Sequence, residues 1–167
     1  MNSKIFILNG TATCGKDTFA DMVKENTSAV HYSIIKPITD ILSGLPKEVQ
    51  VDMSNKDERL RKLISDIKLA LEEYSDYPYR KVKNFIEYAN GKWEFIFIDM
   101  REAHNIERLK KEYGAKSVLI TNKRAPKITS NIADAQVDEI DYDIKIDNNG
   151  TLEDLRKEVV EFIKQNS

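Results

Sequence analysis

The chain has a single cysteine, Cys14, among its 167 residues. No internal disulfide can form, and a cysteine-based zinc site has too few ligands. Charge of one sign is also missing. Lys and Arg number 26 against 28 Asp and Glu, a formal balance of −2 that calls for neither nucleic acid nor an acidic membrane. Long hydrophobic runs are absent. Ile5–Leu8 and Phe95–Ile98 are typical of the longest, far short of the roughly 20 apolar residues of a membrane span. The N-terminus lacks the basic stretch, long apolar stretch and small-residue cleavage site of a secretory signal. Glycine and proline are few, at 6 and 4, and hydrophobic residues at 41% balance charged ones at 32%. That composition excludes disordered, collagen-like and low-complexity chains. The length suits one domain, 1–167. The expectation is a cytoplasmic monomer or homodimer, with neither nucleic acid nor a membrane as partner.

Five short apolar runs read as strands: Lys4–Leu8, Val30–Ile34, Glu94–Ile98, Ser117–Thr121 and Asp143–Ile146. Most are continuous rather than alternating, which suits strands covered on both faces, hence a parallel sheet. Helical stripes lie between and after them. Leu60, Leu63, Ile64, Ile67 and Leu71 form one, Ala103, Ile106, Leu109 and Tyr113 a second, and Leu152, Leu155, Val159, Phe162 and Ile163 a third. Thr151 and Asp154 have the spacing of a capping box, with Asp in place of the commoner Glu. Alternating strand and helix predicts an α/β fold. The long interval 36–93 reads as a helical insertion broken at Tyr77-Pro78, and 122–141 as a short polar loop or lid.

The sharpest feature is Gly10-Thr11-Ala12-Thr13-Cys14-Gly15-Lys16-Asp17-Thr18, directly after the first strand and opening a helix with Phe19, Met22 and Val23. G-x-x-x-x-G-K between strand and helix is the P-loop spacing. Its glycines let backbone wrap phosphate oxygens without a Cβ in the way. N–H groups from Thr13 to Thr18 would form an anion nest, the helix start adds its positive end, and Lys16 would reach the outer phosphates. The alternative is a glycine turn that merely caps a helix. Where the motif normally has Ser or Thr, this chain has Asp17. Its carboxylate is either a hard oxygen ligand for Mg²⁺, with Thr18 beside it, or an acid favoured by the helix dipole. A helix start also lowers a thiol pKa, so Cys14 has a redox reading beside the plainer one of a small loop residue.

Asp99 ends the third strand, where P-loop enzymes hold Mg²⁺ through water. Arg101 follows at the same crevice and could clamp a phosphate. The structural alternatives are a helix cap and an ordinary ion pair. A guanine-reading motif is incomplete: Thr121-Asn122-Lys123 starts like one, but Ala125 stands where Asp would hold the base. His31 and His104 read as ordinary structural histidines. Tyr74, Tyr77, Tyr79, Phe85 and Tyr88 read first as packing and second as a stacking surface for a base.

Gly15-Lys16-Asp17-Thr18 resembles the loop of nucleoside monophosphate kinases, and its G-K-D-T form is most similar to phage-type deoxynucleoside monophosphate kinases and related phosphomevalonate kinases. Phe97-Ile98-Asp99-Met100-Arg101-Glu102 and the segment Tyr142–Leu155 resemble further stretches of the first family; dephospho-coenzyme A kinases share a similar ending. Ser33–Ile38 departs from the family at Ile35 and Lys36, where an Ala-Asp pair is usual. The resemblance implies a three-layer P-loop fold with a parallel five-stranded sheet. It also implies ATP and Mg²⁺ as cofactors and a small phosphorylated acceptor, a (deoxy)nucleoside monophosphate first. Gly10 to Thr18 and Asn149 would then bind ATP, and Asp17, Thr18 and Asp99 the metal. Lys16, Arg101 and the lid residue Arg124 would serve transfer. Arg61, with Arg59 and Arg80 as alternatives, would join Arg101 on the acceptor, because guanidinium binds phosphate bidentately. The alternatives are a kinase for another phosphorylated metabolite, of the dephospho-coenzyme A or phosphomevalonate type, and an ATP-binding module without transfer.

Overall fold

A computed structural model of the protein describes residues 2–49, 51–54, 57–125, 137 and 140–167. Most of the loop expected at 122–141 lies outside these residues. The described chain forms two compact units, 1–31 with 89–167, and 32–88.

The first unit is built on a five-stranded sheet of order β2-β3-β1-β4-β5. Its strands are β1 (Lys4–Asn9), β2 (Ala29–Ser33), β3 (Phe95–Asp99), β4 (Lys116–Thr121) and β5 (Ile144–Asp147). All five expected strands are present, with ends moved by a residue or so. β1 runs parallel to β3 and β4, and β4 parallel to β5. Continuous apolar runs are explained by burial on both faces. Ile5 to Leu8 and Phe95 to Ile98 are all buried. On one face, Phe6 and Leu8 of β1 join Phe95 and Phe97 of β3, with Phe19 and Phe162 from the helices α1 (Lys16–Asn26) and α6 (Leu152–Asn166). Phe162 is the hub, with ring centroids 4.9 Å from Phe6 and 5.2 Å from Phe19. Each fully buried Phe contributes about 1.5–3 kcal/mol in apolar burial.

The helix α5 (Ala103–Tyr113) buries Ile106 and Leu109, as its stripe predicts. In α6 Leu155, Val159 and Phe162 are buried, but Leu152 is exposed because it is the first residue of the helix, ahead of the packed face. The capping box is present. The Thr151 hydroxyl accepts from the Asp154 N–H, and the Asp154 carboxylate accepts from the Thr151 N–H. Asp143 fastens β5 to β4 by accepting from the Ser117 N–H at 2.7 Å, with Lys110 at 3.1 Å. Burial opposes its charge, but these bonds hold its carboxyl below the ordinary value.

The second unit is helical: α2 (Lys36–Ser43), a 3-10 turn at Lys47–Val49, α3 (Glu58–Ser75) and α4 (Tyr77–Ala89). Asp57 caps α3 by accepting from the Leu60 N–H at 2.8 Å. The α3–α4 break falls at Asp76, whose left-handed φ of 53° ends α3. Pro78 sits in the first turn of α4, where its missing N–H costs nothing. Ile38, Leu42, Leu60 and Ile64 form this unit's core. Leu63 is a correction to the expected stripe: it is 38% exposed. The buried row on α3 is Leu60, Ile64 and Lys68, a strict i, i+4, i+8 line. Lys68 serves there through its apolar stem, with its ammonium 3.5 Å from Glu72.

The capping box yields a pH prediction. Hydrogen bonds from the Thr151 N–H and hydroxyl, then Lys157, lower the Asp154 carboxyl from 3.8 to about 2. A depressed carboxylate stabilises the fold fully above its ordinary value, and this is lost as pH falls from there through about 2. Acid titration of unfolding should therefore be shallower for Asp154→Asn than for the unaltered chain between pH 5 and 2; parallel curves would contradict it. Thr151→Ala should cost about 1 kcal/mol in urea unfolding at pH 7.

Candidate active site

The pairing register decides where the loop stands. Leu8 pairs with Asp99, Asn9 with Leu119, and Thr121 with Asp147. β1 and β3 therefore end within a residue of each other, while β4 and β5 end together, about two residues farther on. The chain leaves β1 toward β2 on one side and β3 toward β4 on the other, so the strand order reverses between β1 and β3. Open parallel sheets bind ligands at that crevice, and Gly10–Thr18 and Asp99–Arg101 both issue from it.

The loop closes over its own backbone. The buried Asn9 carbonyl oxygen of the side chain accepts from the Gly10 N–H at 2.7 Å and so turns the chain out of β1. Gly10 has φ 139°, and a Cβ there would run into the Ile120 carbonyl oxygen of β4 and the Cys14 sulfur. Gly15 caps α1 with φ 104°, and a Cβ there would meet the Asn148 side chain. Thr13 is left-handed without being glycine, at φ 61°. A β-branched residue held there stores backbone strain of the kind found at ligand loops. The Phe19 N–H is bonded back to the Gly15 carbonyl at 2.9 Å; the N–H groups ahead of it belong to the helix start, where an anion finds them. Lys16 bends over this nest and donates to the Gly10 and Thr11 carbonyls, both at 3.1 Å.

Cys14 is fully buried in the loop. Burial pushes its thiol above the ordinary value despite the opposing charges of Lys16 and Arg101. The expected lowering by the helix start is overridden by burial, which favours the plain reading of a small packed residue over the redox one.

Two further segments meet the loop. Asn148, just past β5, donates to the Cys14 carbonyl at 2.9 Å. Asn149 accepts from the Lys123 N–H at 2.6 Å through its side chain, and its carbonyl accepts from the Arg124 guanidinium at 2.9 Å. The start of the expected lid is thus fastened to the turn after β5. The bond from Asn148 to the loop is legible in no sequence motif.

Asp99 does not cap α5. The cap position is Glu102, while the Asp99 carboxylate lies 3.2 Å from Nε2 of His31, on the neighbouring strand β2. The other ring nitrogen of His31 is 4.0 Å from the Asp17 carboxylate. His31 thus stands between the two acids expected to hold metal. Asp17, His31 and Asp99 each offer a donor atom, all within 4.8 Å of one another. Two carboxylates from separate segments beside a phosphate-type loop fit a divalent cation. Thr18 is exposed on the first turn of α1.

The described chain has the fold seen in several solved kinases. Dephospho-CoA kinase from Campylobacter jejuni aligns over 99% of this chain and 98% of its own, at 16% identity and TM-score 0.54. Shikimate kinase from Aquifex aeolicus aligns over 97% of both, at 15% and 0.54. Thymidylate kinase from Candida albicans aligns over 99% and 92%, at 14% and 0.55. The fold is that of the P-loop kinases. No family model and no curated protein matches the sequence.

Among the remaining expected residues, Arg59, Arg61 and Arg80 belong to the helical unit. Arg59 and Arg80 are exposed and Arg61 is half-buried. Arg59 and Arg61 leave α3 about 200° apart, so a single ligand meets only one of them. The same unit holds a cleft of about 340 Å³ lined by Tyr32, Pro37, Asp40, Ile41, Tyr77 and Lys81. Tyr32 stacks on Phe85 with centroids 4.5 Å apart. Its phenol is pushed up by burial, then by Asp40 and Tyr77. Tyr74 and Tyr88 are exposed and Tyr79 is buried, so the tyrosine run does not form one surface.

Gly10→Ala and Gly15→Ala test the loop. Each adds a Cβ to a left-handed residue that already touches a neighbour, and each should destabilise the chain by roughly 1–3 kcal/mol in urea unfolding. Unchanged stability would mean that the loop does not need its glycines.

Proposed function

We propose that the protein is a kinase that transfers the γ-phosphoryl of ATP to a small phosphorylated acceptor, with a (deoxy)nucleoside monophosphate as the preferred class. The observation that carries this is the strand–loop–helix from Asn9 to Phe19, with its left-handed Gly10, Thr13 and Gly15 and with Lys16 across the mouth. Lys16 would leave its two loop carbonyls for the ATP phosphates, exchanging neutral acceptors for charged ones. Asn149 and Arg124, already joined, would flank the base side of ATP. Arg101 would take the acceptor phosphate or the transferring group. Asp99 and Asp17, with Thr18 at hand, would hold Mg²⁺, which neutralises phosphate charge when bound. The residues bind, align and screen; no side chain becomes covalently attached.

The acceptor reading draws on the helical unit. The cleft between Tyr32 and Tyr77 offers aromatic faces to a base, with Asp40 and Lys81 for its polar edge. Arg61, half-buried on α3, is the favoured phosphate cation of its pair. Thymidylate kinase and dephospho-CoA kinase both share this fold, so both acceptor types belong in one assay.

ADP formation from ATP and Mg²⁺ should depend on the acceptor across a panel of nucleoside and deoxynucleoside monophosphates with dephospho-coenzyme A. Turnover with a nucleotide supports the reading. Tight ATP binding without turnover on any acceptor would replace it with a binding module. Lys16→Ala should lower kcat at least about 100-fold and weaken ATP binding; an active, tight-binding variant sinks the assignment. Arg61→Ala should raise acceptor KM about tenfold or more, with ATP affinity unchanged. An unchanged KM would move the acceptor phosphate elsewhere.

A further inference from the structure

His31 lies in the middle of β2, and its imidazole is 13% exposed. Its Nε2 and the Oδ1 of Asp99 are both sealed from solvent, and among the described residues neither makes a hydrogen bond. Yet they stand 3.2 Å apart. A buried imidazole nitrogen and a buried carboxylate oxygen that face each other out of line leave two strong polar groups unsatisfied. Two donors on adjacent corners of one ion, with bonds of about 2.1 Å, are held roughly 3 Å apart. Asp17 approaches from α1 with its carboxylate 85% exposed, so the third donor lies on the open side.

We propose that Asp17, His31 and Asp99 form a mixed nitrogen and oxygen site for a divalent first-row transition ion, filled by the protein before any nucleotide arrives. The imidazole decides the class. Mg²⁺ prefers oxygen donors throughout, whereas Mn²⁺, Co²⁺ and Zn²⁺ accept an imidazole and bind it more tightly along that series. Three protein donors leave coordination positions for water or phosphate oxygens. The ion held here would stand in the place the kinase reading gives to Mg²⁺, but its binding needs no acceptor and no transfer, so the test below is read apart from turnover. β2 neighbours β3 in the sheet, which fixes His31 beside Asp99 by strand pairing rather than by side-chain flexibility.

Mn²⁺ tests it directly. Nucleotide-free protein is titrated with Mn²⁺ while the free aquo-ion signal is followed by electron paramagnetic resonance, and the bound ion is then examined by pulsed methods for coupling to ¹⁴N. One Mn²⁺ per chain is expected, carrying an imidazole ¹⁴N coupling, with Mg²⁺ displacing it only in large excess. His31→Gln should abolish the coupling and weaken binding roughly 10–100-fold or more; Asp99→Asn should weaken it similarly. The chain has two histidines, so His104→Gln keeps the assignment open to test even where His31→Gln fails to fold: the coupling must survive it. Absence of bound Mn²⁺ without nucleotide, bound Mn²⁺ without imidazole coupling, or a coupling lost in His104→Gln would each overturn the proposal.

Discussion

The carboxyl edge of the sheet depends on one alignment. β1 pairs with β3 and β4 so that Leu8 stands level with Asp99, and Asn9 with Leu119. A strand slipped by one residue would turn Asp99 to the opposite face and bury its charge in the helix-covered core. The register is held by Phe6, Leu8, Phe95 and Phe97, all in one cluster. Core packing and site geometry are therefore the same constraint. The close passage of Gly10 beside the Ile120 carbonyl follows from it, because the loop leaves β1 directly over the end of β4.

The strands were legible because burial on both faces leaves an unmistakable mark, a continuous apolar run. The loop was legible because its spacing is dictated by backbone approach to phosphate, and Gly10 and Gly15 take the positive φ that only such residues adopt cheaply. Helix faces were read less well at their edges. Leu152 and Leu63 fit the period and are exposed, while Lys68 lies in the buried row because its stem packs and its ammonium reaches Glu72. Periodicity reports which way a residue points, not whether anything lies opposite it.

His31 was illegible for a different reason. It belongs to no local pattern, and its partners come from α1 and the end of β3. Only the placement of β2 beside β3 makes them neighbours. Asn148 is the same case: its bond to the Cys14 carbonyl joins the two ends of the first unit's chain path. In both, a single polar residue acquires its role from topology, which a linear reading does not contain.

Asp17 is the residue where magnitudes decide. An acid on the first turn of α1 gains about 0.3–1 kcal/mol from the helix dipole. A phosphate charge at about 4 Å would repel it by about 4 kcal/mol near a protein surface. The dipole alone therefore cannot reconcile this carboxylate with a polyphosphate in the adjoining nest. A cation between them reverses the sign of the interaction, and His31 and Asp99 stand where they could help hold one. On the proposed reading, the same carboxylate that departs from the usual hydroxyl of the motif would make anion binding at this loop depend on the ion that accompanies it.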